Sequence, residues 1–310
     1  MKKHCLYILV IMPFLFCSIA CSNSDDEMNP RVVIREDGTA SNGSRFVAVN
    51  NTTFYLDYVR YSVKSGHLIV SGYDKEGFNG KAKIAANIVF NGSSYEVLGI
   101  KENAFRDCAD LTMVVIPNSV TEIGYAAFDG CVGLKSAVIS NKVSSIGIDA
   151  FRGCRGLTSL KIPDGVTTIS HSSFAGCSGL TSLTIPNSVT AIDERAFSGC
   201  SGLTSLKIPD HVGRIEDNAF SGCSGLTSLT IPSSVRVIGN YAFSGCIGLK
   251  DVYCHIVDLS NLYIGGALFV GGYIFEHADV SKATLHVPAS AIADYKRNDH
   301  WKEFGSIVAL

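Results

Sequence analysis

The sequence has little of what nucleic-acid binding and catalysis usually require. Its 26 lysines and arginines are outnumbered by 28 aspartates and glutamates, which gives a net charge of −2. No basic field is therefore available to hold a phosphate backbone, and we expect no nucleic-acid partner. The patterns C-x-x-C, H-E-x-x-H, G-x-S-x-G and the P-loop are all absent, and the histidines are scattered without metal-ligand spacing. We therefore expect no metal, no cofactor and no enzymatic activity.

A long apolar run is also lacking, although a short one lies at the N-terminus. Lys2 and Lys3 precede an apolar stretch over residues 5–20, which is too short to span a membrane and is interrupted by Pro13. Residues 1–20 are therefore predicted to be a secretory signal peptide. Cys21 follows the small residues Ser18-Ile19-Ala20, whereas Cys17 follows bulky residues, so Cys21 is the better candidate for the first residue of the mature chain.

The segment Ser18-Ile19-Ala20-Cys21 resembles the lipobox of bacterial lipoproteins, although Ser18 departs from the usual Leu or Val. The resemblance implies a lipid on Cys21 and contact with the membrane through that lipid anchor alone. Ordinary signal cleavage near Ala20 is the alternative. The acidic run at residues 24–27 looks like the export signal of surface lipoproteins in Bacteroides-type bacteria, which implies an outer-membrane location facing the cell exterior. A generic acidic linker is the alternative interpretation.

Two segments separate the predicted signal peptide from the main body of the chain. Residues 21–45 are rich in Ser, Asn, Asp and Glu, which predicts a flexible tether. Residues 46–99 contain short β-branched or alternating runs separated by turn formers such as Ser65-Gly66, Asn79-Gly80 and Asn91-Gly92. This pattern predicts a β-rich N-terminal cap of hairpin-linked strands. The strand runs are residues 54–61, 67–70, 82–90 and 95–98.

A repeat of 23 residues dominates the centre of the chain. Its aromatic position is occupied seven times at this interval, by Phe105, Phe128, Phe151, Phe174, Phe197, Phe220 and Phe243. One cysteine and one leucine in each unit keep the same step. A fixed period of this size predicts a solenoid over residues 100–260, because each unit can bury its apolar face only by stacking on its neighbours.

Each unit contains one short strand. In residues 157–162, Leu160 and Ile162 point to one side while Ser159 and Lys161 point to the other, and Pro163 ends the strand. About seven such rungs are expected to form a parallel sheet. The equally spaced cysteines, between a core Phe and a core Leu, are interpreted as free buried thiols, since a column of inward-pointing thiols does not give disulfide geometry without strain. A disulfide framework is the alternative for a secreted chain.

The unit I-x-x-x-A-F-x-G-C-x-G-L-T-S-L-x-I-P-x-x-V resembles the BspA-like leucine-rich repeats of surface proteins from Bacteroides, treponemes and some protists. The resemblance covers about residues 100–249 and implies a β-rich leucine-rich-repeat solenoid. The sequence departs from the general pattern at the asparagine position, so no asparagine ladder is expected. The residues at that position are Ser119, Gly165, Ser188 and His211.

The pattern decays after Leu249, and residues 261–310 are predicted to be a small α/β C-terminal cap. Its last part, from Ala283, is similar to the closing segment of many Bacteroides members of the group. Tyr295, Trp301 and Phe304 are interpreted as residues that cover the open end of the core; a functional aromatic platform is the alternative.

The outward side of the predicted sheet is the candidate binding surface, because extended solenoid faces offer large contact areas. We call its central part the strip; it consists of Ser159, Lys161, Ser182, Thr184, Ser205, Lys207, Ser228 and Thr230. The leading hypothesis is a surface lipoprotein whose repeats mediate protein–protein interaction or adhesion, as the resemblance implies. A glycan-binding accessory lipoprotein for nutrient capture and an envelope scaffold without an external ligand remain alternatives, and the strip can also be read as a merely soluble face.

Overall fold

The structure is a computed structural model and describes residues 31–35, 39–266, 269–270 and 273–310. The predicted signal peptide, the predicted lipid-attachment residue Cys21 and the first part of the predicted tether lie outside the described residues. The prediction of a flexible tether is wrong for residues 31–33, which form a strand paired with residues 87–89 and bury Val32. Within these ranges, no helix is long and apolar enough to cross a membrane.

The N-terminal part is a mixed β-sheet joined to the first turns of the solenoid. Its strands are β1 (Arg31–Val33), β2 (Phe46–Asn50), β3 (Thr53–Leu56), β4 (Val59–Lys64), β5 (His67–Tyr73), β6 (Lys81–Lys83), β7 (Asn87–Phe90) and β8 (Ser93–Ile100). The order across the main sheet is β1-β7-β8-β5-β4-β3-β2. Strand β8 also pairs with the solenoid, and β6 lies in a separate sheet beside the first full repeat.

Two of the three predicted hairpin turns are confirmed, and two of the four predicted strands are wrong. Asn79-Gly80 does not join a hairpin, because the strand after it, β6, lies in a different sheet from β5. Residues 82–90 form two strands in different sheets, β6 and β7, instead of one. Ser65-Gly66 and Asn91-Gly92 connect antiparallel pairs with positive φ at both positions, as a tight two-residue turn requires. Residues 54–61, expected to be one strand, form the hairpin β3–β4 because Asp57 and Tyr58 adopt φ values of 47° and 68°. The Asp57 carboxylate stabilises this turn by accepting a hydrogen bond of 2.8 Å from the backbone N–H of Arg45. Because Asp-Tyr is not a dipeptide typical of tight turns, the sequence pattern did not predict this turn.

The predicted leucine-rich-repeat solenoid is confirmed, with about nine turns and mostly parallel strands. Each central turn supplies one longer strand and one strand of two residues, and each stacks on its counterpart in the next turn. The strands are β9 (Met113–Ile116), β10 (Glu122–Ile123), β11 (Ser136–Ile139), β12 (Ser145–Ile146), β13 (Ser159–Lys161), β14 (Thr168–Ile169), β15 (Ser182–Thr184), β16 (Ala191–Ile192), β17 (Ser205–Lys207), β18 (Arg214–Ile215), β19 (Ser228–Ile231), β20 (Val237–Ile238), β21 (Asp251–Cys254), β22 (Tyr263–Gly266), β23 (Phe269–Val270), β24 (Thr284–Val287) and β25 (Ser306–Ala309).

We call the column of longer strands the front ladder and the column of two-residue strands the back ladder. The front ladder consists of three hydrogen-bonded groups, β6-β9-β11, β13-β15 and β17-β19-β21-β24-β25. Strands β6, β24 and β25 belong to it although their sequences lack the repeat motif, which explains why there are more turns than the seven copies predict. One α-helix, α1 (Ile292–Arg297), and 3-10 helices at Leu259–Asn261, Val280–Lys282 and Ala289–Ala291 complete the C-terminal end.

A continuous stack of aromatic rings runs along the core. Successive repeat phenylalanines lie 4.9–5.6 Å apart between ring centroids, with interplanar angles of 4–13°. Tyr73 extends the stack at the N-terminal end and Phe275 at the C-terminal end, each at 5.7 Å. Trp301 and Phe304 meet the Phe275 ring edge-on and close the core, as predicted.

The repeat cysteines are free and buried, as predicted. From the second repeat onward, each thiol donates a hydrogen bond to the backbone carbonyl of the phenylalanine in the preceding turn, at 3.0–3.4 Å. Cys200, for example, donates to the carbonyl of Phe174. The cysteine therefore fills a small apolar space and also links one turn to the next through a polar contact.

The second glycine of the motif G-C-x-G-L is required by close backbone packing between turns. A Cβ atom placed on Gly179 would lie 2.3 Å from the carbonyl oxygen of Arg155, whereas one placed on Gly213 would meet its nearest atom, the Thr190 carbonyl oxygen, at 3.9 Å. We expect Gly179→Ala to lower the free energy of unfolding by about 1–3 kcal/mol, because the backbone must shift to remove the clash. Urea unfolding followed by circular dichroism tests this, with Gly213→Ala as the matched control. Equal losses in the two variants would contradict the packing argument.

Candidate interaction face

The structure places all eight strip residues on the outer side of the front ladder. Leu160 and Leu206 point inward and are 4% exposed, while their neighbours on both sides point outward. The outward residues of β13, β15 and β17 are exposed, and Ser228 and Thr230 on β19 are half-buried. The alternation predicted from the sequence is thus the alternation observed.

Hydrogen-bond register aligns the strip into two rows that run across the strands. In one row, Ser159 pairs with Ser182, and Ser205 pairs with Ser228. In the other row, Lys161 pairs with Thr184, and Lys207 pairs with Thr230. The face is therefore small and hydroxyl-rich, with a lysine at one end of each aligned pair in the second row.

The two lysines of the strip differ from several arginines of the solenoid that are held in ion pairs, as do other exposed lysines such as Lys142 and Lys250. In the described part of the chain, neither Lys161 nor Lys207 forms an ion pair. On the back ladder, by contrast, Arg214 lies 3.1 Å from Glu216, and in the turns Arg106 lies 3.4 Å from Asp129. The positive charges of the strip are consequently free to meet an external group.

Beyond the strip, the same face continues onto two aromatic side chains, those of Tyr253 and His286. Thr230 pairs with Tyr253, and Tyr253 pairs with His286 on β24. The two rings stack at 4.4 Å with an interplanar angle of 12°, and His286 Nε2 lies 3.0 Å from Asp251 Oδ1. Tyr253 could be placed on the outward face from the sequence, but His286 lies outside the 23-residue period and its pairing could not be inferred.

Among the described cysteines, the one outside the repeat positions, Cys254, is not arranged for nucleophilic catalysis. Cys254 is buried with its thiol 3.1 Å from the hydroxyl of Tyr295, whereas the adjacent His255 is exposed. Burial raises the pKa of Cys254 to about 11, so the thiolate is scarce at neutral pH. Among the residues that the structure describes, no group of His, Cys, Asp and Glu is positioned to hold a metal ion.

A family model built from the BspA-type leucine-rich repeat region, with six copies, matches residues 82–204 and 144–274. Together the two matches span more than half of the chain. The chain belongs to the BspA-type leucine-rich repeat family. No curated protein sequence matches it significantly.

Solved structures of leucine-rich repeat proteins share the fold. A leucine-rich repeat protein from T. pallidum is 28% identical, with a TM-score of 0.56 over 62% of this chain and 88% of that protein. Another, from Bacteroides ovatus, is 24% identical, with a TM-score of 0.51 over 83% of this chain and 76% of that protein. Leucine-rich repeat proteins generally mediate protein interactions or associate with surfaces, and the fold is typically a non-catalytic scaffold.

This BspA-type chain links its turns differently from solenoids with an asparagine ladder. At the asparagine position, Ser188 donates a hydrogen bond of 2.7 Å to the carbonyl of Val166, and Ser234 donates one of 2.7 Å to that of Val212. In both pairs, a shorter side chain reaches the backbone of the previous turn.

Proposed function

We propose that the protein is a cell-surface lipoprotein that binds a protein partner through the strip and acts in adhesion. The observation that carries the proposal is the outward row containing Lys161 and Lys207, two exposed cations without an ion pair in the described residues. Unpaired charges on a regular face favour electrostatically steered contact with a complementary surface. In this proposal the lipid is attached to Cys21 of the lipobox-like segment, and the acidic run at residues 24–27 supports an outer-membrane location that faces the cell exterior.

The strip is a better candidate for this contact than the back ladder or the turns. Several arginines there lie in ion pairs within the chain, as in Arg214–Glu216 and Arg195–Glu194, so a partner of those residues would have to displace an existing contact. The strip presents short hydroxyl side chains, which lose little conformational entropy on binding. We propose that the protein is not an enzyme and that the solenoid serves as a binding scaffold.

The glycan-binding alternative is favoured by a separate observation, the aromatic residue Tyr253 beyond the strip. An envelope scaffold without an external ligand predicts no partner for the strip. Protease treatment of intact cells separates the scaffold from both binding functions, because a periplasm-facing scaffold is protected from the protease.

The proposal is tested by measuring binding of the purified full-length protein to a panel of extracellular matrix proteins. We expect saturable binding that the double variant Lys161→Glu/Lys207→Glu weakens about tenfold or more, since charge reversal replaces attraction with repulsion at two points. Biolayer interferometry at several salt concentrations measures the effect.

The matched control is Lys142→Glu/Lys250→Glu, which makes the same charge change at two exposed lysines outside the strip. It is expected to retain the affinity of the wild-type protein. Equal weakening in both double variants would show that net charge alone matters and would contradict a role for the strip. Absence of binding to every protein in the panel would remove the support for adhesion.

A further inference from the structure

We infer that the C-terminal end of the front ladder contains a binding site for a neutral pyranose unit of a glycan. A cavity of about 690 Å³ opens there, a volume within the usual range of ligand sites. It is lined by side chains from three successive turns, Lys207, Asp210, Thr230, Ser233, Tyr253 and His255. The inference goes beyond the proposed function, because protein contact along the strip does not require it.

The Tyr253 ring is held as a platform beside this cavity. Its one face stacks on His286 at 4.4 Å, and His286 is oriented by its hydrogen bond to Asp251. On the opposite side, the register partner of Tyr253 is Thr230, a short residue that leaves space above it. The second face of the ring is therefore turned toward the cavity. Because His286 already holds the ring in place, a ligand that packs on the other face costs little side-chain conformational entropy.

Across the strands, the cavity extends from Lys207 to Tyr253, which lie two strand spacings apart. Lys207, Thr230 and Tyr253 occupy one row on adjacent strands, so the ammonium-bearing chain and the aromatic ring are about 10 Å apart at their backbones. A pyranose ring placed above Thr230 can pack its C–H face on Tyr253 and direct its hydroxyls toward Lys207. An aromatic face suits the apolar side of a sugar, as it suits other apolar surfaces.

The polar lining matches hydroxyl groups, which both donate and accept hydrogen bonds. Lys207 donates, Asp210 accepts, and the hydroxyls of Thr230 and Ser233 do both, as the imidazole of His255 does when neutral. The lining contains one ammonium and one carboxylate, so the cavity has no strong preference for a charged ligand. This balance favours a neutral sugar over a phosphate or a sulfated group.

The site arises where the chain departs from its own repeat. One turn earlier, Thr230 occupies the position of Tyr253, and Pro232 occupies that of His255. The aromatic ring and the imidazole thus enter the face together in the turn of β21. Repetition of the hydroxyl-rich face alone does not account for Tyr253 and His255 in this turn.

The test is a titration of the full-length protein with methyl glycosides of glucose, galactose, mannose and N-acetylglucosamine, followed by saturation-transfer NMR and calorimetry. We expect saturable binding of at least one glycoside. Tyr253→Ala should weaken that binding about tenfold or more, whereas Tyr253→Phe, which retains the ring, should keep most of it. Tyr125→Ala removes a tyrosine that is 47% exposed on a distant turn and should leave binding unchanged.

Failure of the inference is distinct from failure of the proposed function. Absence of saturable binding for every glycoside, or equal binding by Tyr253→Ala, overturns the sugar site. Loss of a protein partner in Tyr253→Ala, with no glycoside bound, assigns the cavity to protein contact and also overturns the sugar site.

If Tyr253→Ala fails to fold, the exposed-surface variant Ser233→Ala/Lys207→Ala replaces it. Weakened glycoside binding is then expected, and unchanged binding would contradict the site. Lys161→Glu, outside the cavity, should affect protein binding alone.

Discussion

Replacement of Phe174 by alanine is expected to lower the free energy of unfolding by about 3–5 kcal/mol, the usual cost of truncating a buried phenylalanine. The ring is fully buried and stacks on Phe151 at 5.6 Å and on Phe197 at 5.4 Å. Its removal leaves a cavity and interrupts the aromatic stack in the middle of the solenoid. Because repeat proteins are stabilised by contacts between nearest neighbours, the loss should divide the chain into two units that unfold separately.

Two further variants separate the contributions to this effect. Phe174→Leu fills most of the space without a ring, so the difference between the leucine and alanine variants reports the cavity, and the remaining loss reports the stacking. Ser182→Ala, on the exposed face of the same repeat, should change stability by less than about 0.5 kcal/mol. Calorimetry with denaturant unfolding measures all three. A loss below about 1 kcal/mol in Phe174→Ala, with one cooperative transition, would show that the stack does not couple the turns.

The aromatic stack also shows how far the sequence could predict the fold. The seven repeat phenylalanines follow from their period, and their burial follows from the need of each unit to cover its neighbour. Tyr73 and Phe275, which extend the stack at both ends, lie further than one period from their stacking partners. At each end, a segment longer than one repeat brings its ring back to the core. The repeat period does not predict these two positions, because tertiary packing determines them.

The interaction face was predictable to a similar degree. Strand alternation is a local property, so Ser159 and Lys161 could be assigned to the outer side from six residues of sequence. The support of the Tyr253 ring by His286 could not be predicted, because it needs the register between β21 and β24. His286 on β24 pairs with Tyr253 across a connection that contains no repeat. The front ladder continues past the last motif, and the residue that holds the aromatic ring lies in that continuation.

Alkaline pH is expected to unfold the protein through its buried thiols. Burial raises the pKa of Cys177 and Cys246 from 9.0 to about 12 and raises the pKa values of Cys154, Cys200 and Cys223 well above 9.0. The unfolded chain releases these protons above pH 9, while the folded protein retains them. The free energy of unfolding is therefore unaffected by these groups below pH 9 and falls as the pH rises from 9 toward about 12.

The free energy of unfolding is expected to fall steeply with pH, because all of these thiols become exposed in the same unfolding transition. Each contributes about 1.4 kcal/mol per pH unit in this window, so these five together lower the free energy of unfolding by roughly 7 kcal/mol per pH unit. For a domain of ordinary stability, the midpoint of unfolding then falls between about pH 10 and 11. Burial raises the pKa values of Tyr61 and Tyr295 as well, and these groups reinforce the loss at the upper end. Denaturant unfolding at closely spaced pH values from 8 to about 10.5 measures the slope.

Two substitutions at Cys200 distinguish proton release from the loss of a hydrogen bond. Cys200→Ala removes both the thiol proton and the contact to the Phe174 carbonyl, so it should cost about 1 kcal/mol at neutral pH and reduce the alkaline slope by about 1.4 kcal/mol per pH unit. Cys200→Ser retains a donor but does not ionise in this range, so it should reduce the slope by the same amount while keeping the contact. An unchanged slope in both variants, or fast reaction of the folded wild-type thiols with a thiolate-selective reagent at pH 8, would contradict the argument. Equal slopes in the two variants would identify the proton, and not the hydrogen bond between turns, as the source of the alkaline instability.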